Sequence, residues 1–166
     1  FFKTSADRVD IRKLQTELMT YQARILPYRD IMIDDAHFYV LQRFGLAGVL
    51  TNLNKEKDFH FGKEERVSFE EVEPIFDRLY SRSQLWFLDH TGDYFRWKDF
   101  LSLIKFVGLR GDEINRQIEK EWSRKLGFEG SFDPEAFINR YQFAVILDRY
   151  ANPYVKAVTQ EGDFIN

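Results

Sequence analysis

No cysteine occurs among the 166 residues. Disulfide scaffolds, thiolate metal sites and cysteine nucleophiles are therefore excluded. Long apolar runs are also missing. The stretch from Leu103 to Leu109 is interrupted by Lys105, and none approaches the length of a membrane span. An excess of positive charge is absent too: 24 lysines and arginines face 27 aspartates and glutamates, for a net charge of −3. Phosphate binding wants a concentrated basic face, so nucleic acid is not the expected partner. The three histidines, His37, His60 and His90, never stand four apart as a helical zinc pair would. No nucleophile elbow or glycine-rich phosphate loop is present, and Gly108-Leu-Arg-Gly111 is too short for one. The chain is expected not to be an enzyme. It opens Phe1-Phe2-Lys3 without a methionine, as either a trimmed chain or one stripped of a targeting segment would. The second alternative makes an organellar, mitochondrial complex the first compartment to consider, while the sequence leaves the compartment open.

Methionine is scarce as well, with two residues against 17 phenylalanines, eight tyrosines and three tryptophans. Grooves that accept many partners use flexible methionine, whereas stiff rings suit one permanent partner. Many of these rings must fill a core. Their number still exceeds what short helices need, which points to a buried protein interface.

The apolar positions recur at helical spacing. Val9, Ile11, Leu14, Leu18, Tyr21, Ile25 and Leu26 predict an amphipathic helix from about Asp7 to Leu26, stopped by Pro27. A helix is expected from Asp34 or Asp35 toward Phe44, and another over Leu46 to Asn54. Ser68-Phe-Glu-Glu71 fits a capping box, with Pro74 either in the first turn or kinking the helix. Phe100 to Val107 ends at the Gly108–Gly111 linker. Asp112-Glu113 then opens a helix with Ile114, Ile118 and Trp122 on one face. Asp133 reads as a cap with Pro134 in the first helical position.

One local pattern occurs four times: an apolar residue, four positions with carboxylates or a cap, then a second apolar residue. It reads Ile33 to Phe38 (Ile-Asp-Asp-Ala-His-Phe), Val67 to Val72 (Val-Ser-Phe-Glu-Glu-Val), Phe95 to Phe100 (Phe-Arg-Trp-Lys-Asp-Phe) and Phe132 to Phe137 (Phe-Asp-Pro-Glu-Ala-Phe). The copies start 34, 28 and 37 residues apart. Periods of this size mark repeated helix–loop–helix units.

With Leu85 and Leu88 ahead of Asp89-His-Thr-Gly-Asp93, the arrangement resembles the EF-hand superfamily. That resemblance implies an all-α fold of four helix–loop–helix units in two pairs, 1–80 and 81–150, followed by an extended tail, 151–166. Calcium would need oxygen ligands at loop positions 1, 3, 5, 7, 9 and 12, with glycine at 6. The first loop offers Leu26, Tyr28, Asp30 and His37; the second offers His60, Gly62, Glu64 and Glu71. The fourth keeps Gly130 but has Lys125 first and Ala136 last. The third, with Asp89, Thr91, Asp93 and Asp99, is the one calcium candidate, though it is a residue short and lacks the glycine. No other cofactor is implied.

The expected function is a non-catalytic adaptor or accessory subunit held permanently in a larger protein assembly. Phe100, Leu103, Ile104, Phe137, Tyr141 and Phe143 are the expected partner-binding residues. The tail from Tyr150 to Phe164 would plug their groove or reach a second neighbour. The alternative is a calcium-responsive regulator using the Asp89–Asp99 loop.

Overall fold

The computed structural model describes residues 28–47, 60–151, 157–158 and 164–165. They are helical: α1 (Phe38–Ala47), α2 (Phe69–Leu79), α3 (Ser83–Asp89), α4 (Trp97–Phe106), α5 (Ile114–Glu121) and α6 (Arg140–Ile146). A π-helical turn, Leu147–Ala151, continues α6. Ala157–Val158 and Phe164–Ile165 form a two-residue antiparallel pair inside the expected tail. The expected helices over 7–26 and most of 46–54 lie outside the described residues.

Two compact units divide the chain, one of residues 1–61 with 153–166, the other of 62–152. The expected boundary at 80/81 falls inside the second, between α2 and α3. In the first unit, Phe38, Leu41 and Phe44 of α1 are buried. The buried Gln42 amide grips the Tyr28 backbone from both sides, accepting from its N–H at 3.0 Å and donating to its carbonyl at 2.8 Å. Helix α1 starts at Phe38 rather than at Asp34 or Asp35. Asp35 spends its side chain on the His37 N–H in the turn before it, and Ile33 is exposed.

The second unit is organised around three extended segments, 65–69, 93–97 and 136–140, each leading into a helix. Val67 donates to the carbonyl of Ile138, Ile138 to that of Phe95, and Phe95 to that of Val67, at 2.8–3.1 Å. Two residues on in each segment the direction reverses: Phe69 donates to Asp93, Trp97 to Ala136 and Arg140 to Glu65, at 2.9–3.3 Å. Three antiparallel bridges follow, Ser68 with Tyr94, Arg96 with Phe137 and Asn139 with Arg66. Three segments that are pairwise antiparallel cannot lie in one flat ladder, so they close into a triangle. Val67, Phe95 and Ile138, whose backbones meet at its centre, are fully buried.

Each corner then launches a helix. Ser68 Oγ accepts from the Glu71 N–H while Glu71 Oε2 accepts from the Ser68 N–H. Asn139 and Gln142 make the same exchange. Arg96 has no acceptor oxygen, so its corner keeps half the device, Asp99 Oδ2 accepting from the Arg96 N–H at 3.0 Å. These bonds satisfy donors that a helix start leaves open.

The fourth copy is therefore corrected by six residues, from Phe132–Phe137 to Ile138–Phe143. Asp133 does accept from Glu135, but it shapes a turn, and Pro134 lends its carbonyl to Lys98. The linker is as expected: Gly108 takes φ +78°, with Gly108 and Leu109 donating back to Lys105 and Ile104. This left-handed close is a position glycine favours.

Candidate functional site

Strand-like alternation sends the residue before each central apolar position outward. Those residues are Arg66, Tyr94 and Phe137, one per segment, and they meet on the outer face of the triangle. The guanidinium carbons of Arg66 and Arg96 each lie 4.4 Å from the centre of the Phe137 ring. Tyr94 meets that ring edge-on at 6.2 Å, with Arg66 5.9 Å from the tyrosine. Arg96 also donates to the Glu135 carbonyl, and Lys98 pairs with Glu135 at 2.7 Å. Tyr94 remains 45% exposed. Tyrosine and arginine held rigidly at a surface are the residue types that carry binding energy in protein interfaces.

Of the expected partner-binding residues, Phe100, Leu103, Ile104 and Phe143 are fully buried inside the unit. Phe100 packs on Phe76 and Phe143, with ring centres 6.3 and 5.4 Å apart. In this conformation all four lie in the core, with Phe100 between the rings of Phe76 on α2 and Phe143 on α6, and not at an open groove mouth. Phe137 and Tyr141 are half-buried and reach the surface. The exposed apolar side chains Leu85 and Leu88 lie on α3, and Phe106 ends α4 beneath the guanidinium of Arg82.

The expected calcium residues are dispersed in their uses. Asp99 caps α4, Asp93 lends its carbonyl to Phe69, and Asp89 and Thr91 are exposed. Among the described residues, no group of three or more acidic or histidine side chains is placed to hold a metal ion. His90 stacks on Trp86 at 4.0 Å, its Nδ1 2.9 Å from the Trp86 carbonyl. Trp86 in turn donates to Ser102.

Two charged clusters were missed by pattern reading. Arg140, the first residue of α6, is buried and bridges Glu65 and Glu71. Glu71 thus serves two masters, one oxygen capping α2 and the other meeting the guanidinium at 2.7 Å. The buried Glu121, at the end of α5, accepts from Arg149 at 2.7 Å and from Tyr150 at 2.6 Å, and pairs with Lys125 at 3.0 Å. The hydrogen bond from Arg149 pulls its carboxyl down to about 2, with Tyr150 and Lys125 adding and burial opposing. Burial, then the bond to Glu121, pushes Tyr150 up to about 12. Sequence spacing carries a signal for neither cluster beyond the pair four apart, Glu121 and Lys125.

Comparison with known proteins gives no match to a family model, a curated protein or a solved structure. Among the described residues no helix is long and apolar enough to cross a membrane.

Proposed function

We propose that this chain is a non-catalytic, EF-hand-like binding module that serves as a permanent subunit of a larger protein assembly. In this reading the three segments of the triangle are degenerate loops, with the stretch leading into α1 a fourth. Val67, Phe95 and Ile138 then hold the eighth loop positions, and Glu71, Asp99 and Gln142 the twelfth. All three twelfth-position side chains are spent on helix caps.

The observation that carries the reading is Arg140. Its guanidinium meets Glu71, the carboxylate that a working loop would give to calcium, so the loop holds a fixed internal cation. A side chain cannot leave as an ion can, and switching is lost. The Arg66, Tyr94, Arg96 and Phe137 cluster supplies a rigid surface for a lasting partner.

Calcium titration by calorimetry, with tryptophan fluorescence read alongside, tests this. The expected result is no heat and no change at Trp86 or Trp97 at millimolar calcium. Saturable binding abolished by Asp89→Ala would overturn it and make the third loop a working switch.

A further inference from the structure

The polar face of α5 carries a row of cations that pair with no side chain among the described residues. Arg116, Lys120 and Arg124 stand four residues apart, and the row runs past the helix end because Lys125 still donates to the Glu121 carbonyl. All three are exposed. None makes an ion pair or hydrogen bond in the described structure, and Glu119, three residues from Arg116, leaves it unpaired. They line a groove of about 450 Å³ together with Glu113, Gln117, Glu121 and Lys125, and Glu113 spends an oxygen on the Gly111 N–H. The Glu121 carboxylate offers no relief, because Lys125 and Arg149 already claim it.

Like charges at this spacing oppose helix formation. Here they concentrate on one face of a chain whose net charge is −3. Four helical residues advance about 6 Å, so the row presents three charges over about 12 Å. A partner helix bearing carboxylates four residues apart has the same repeat. Duplex nucleic acid offers a charge about every 1.7 Å along its axis and would leave most of its phosphates unanswered by three cations.

We propose that the Arg116, Lys120 and Arg124 row docks an acidic helix of a partner protein, its carboxylates in four-residue register. The surface is separate from the Arg66–Phe137 cluster and extends the adaptor reading by naming a partner chemistry.

The test titrates the full chain into two fluorescein-labelled alanine-rich helical peptides of equal composition, one with glutamates four apart and one with them scattered. Fluorescence anisotropy at low salt should show saturable binding of the registered peptide and weaker binding of the scattered one. Lys120→Glu or Arg124→Glu should weaken it at least about tenfold, while Lys98→Glu leaves it unchanged. Circular dichroism of each variant establishes that the fold persists, and Arg124→Gln provides a milder second variant. No saturable binding, or equal loss with Lys98→Glu, would overturn the proposal. So would tighter binding of a single-stranded oligonucleotide lost in the same variants. Self-association of the unliganded chain abolished by Lys120→Glu would overturn it too, in favour of a second copy. Calcium binding in the calorimeter would sink the adaptor reading without touching this result.

Discussion

Arg140 Nη2 lies 2.7 Å from Glu71 Oε1, tying the first residue of α6 to the third of α2 across 69 positions of sequence. Glu71 simultaneously caps its own helix, so one carboxylate joins a local device to a long-range one.

Removing the guanidinium should therefore cost more than one ion pair. Arg140→Ala leaves Glu71 and the half-exposed Glu65 without their cation, and a loss of about 2–4 kcal/mol is expected in urea unfolding. Arg140→Lys should recover less than half of it, because a point charge cannot fork to two carboxylates.

Acid should act through Glu121. Its folded pKa lies at about 2, below the roughly 4.3 of an unfolded glutamate, so its stabilisation is present above pH ~4.3. It is lost as pH falls from there through about 2. Glu121→Gln should flatten that limb of the stability curve and lower stability at neutral pH by about 1–3 kcal/mol. Urea midpoints across the acid range measure both.

Alkali should act through two tyrosines. Burial raises Tyr80 and Tyr150 to about 12, and Tyr80 donates to the Ala151 carbonyl at 2.9 Å. Both are raised above the ordinary ~10, so their contribution is complete below pH ~10 and fades as pH climbs through 12. An ultraviolet titration should show two late phenols. Tyr80→Phe should remove one of them and reduce the stability lost above pH 10.

Two glycines separate backbone strain from crowding. Gly62 and Gly108 take φ of +71° and +78°. A Cβ on Gly62 would come within 2.5 Å of Glu65 Oε1, whereas one on Gly108 meets nothing within 4 Å. Gly108→Ala should cost about 1–2 kcal/mol from the left-handed backbone alone. Gly62→Ala should cost more in the same assay, since Glu65 must shift away from Arg140.

The helices of the second unit were legible where local chemistry sets them. Ser68 and Glu71 announced α2, and Ile114, Ile118 and Trp122 announced the buried face of α5. The start of α6 was not. Asp133-Pro134 is the stronger local signal, and it lost because the triangle demands the backbone of 136–140 in extended form. Asn139 and Gln142, three apart, were the usable clue. The triangle was also illegible, since apolar spacing marks which residues meet a neighbour but never how many neighbours they meet. Phe100, Leu103, Ile104 and Phe143 carried a correct apolar signal, yet periodicity cannot tell a groove lining from a core. The clusters around Arg140 and Glu121 join residues up to 75 positions apart, beyond any local pattern.

The closed triangle also limits how the molecule can be recognised. Each segment spends its central N–H and C=O on its two neighbours, leaving no ladder edge at its centre for an incoming strand to extend. A ligand that borrows backbone bonds by strand addition finds no vacancy there. What the triangle offers the outside is side chains, the Arg66, Tyr94, Arg96 and Phe137 cluster on its outer face. On the adaptor reading proposed above, a partner at that face would be selected by side chains alone, those of Arg66, Tyr94, Arg96 and Phe137, carried on a frame whose backbone bonds are already spent.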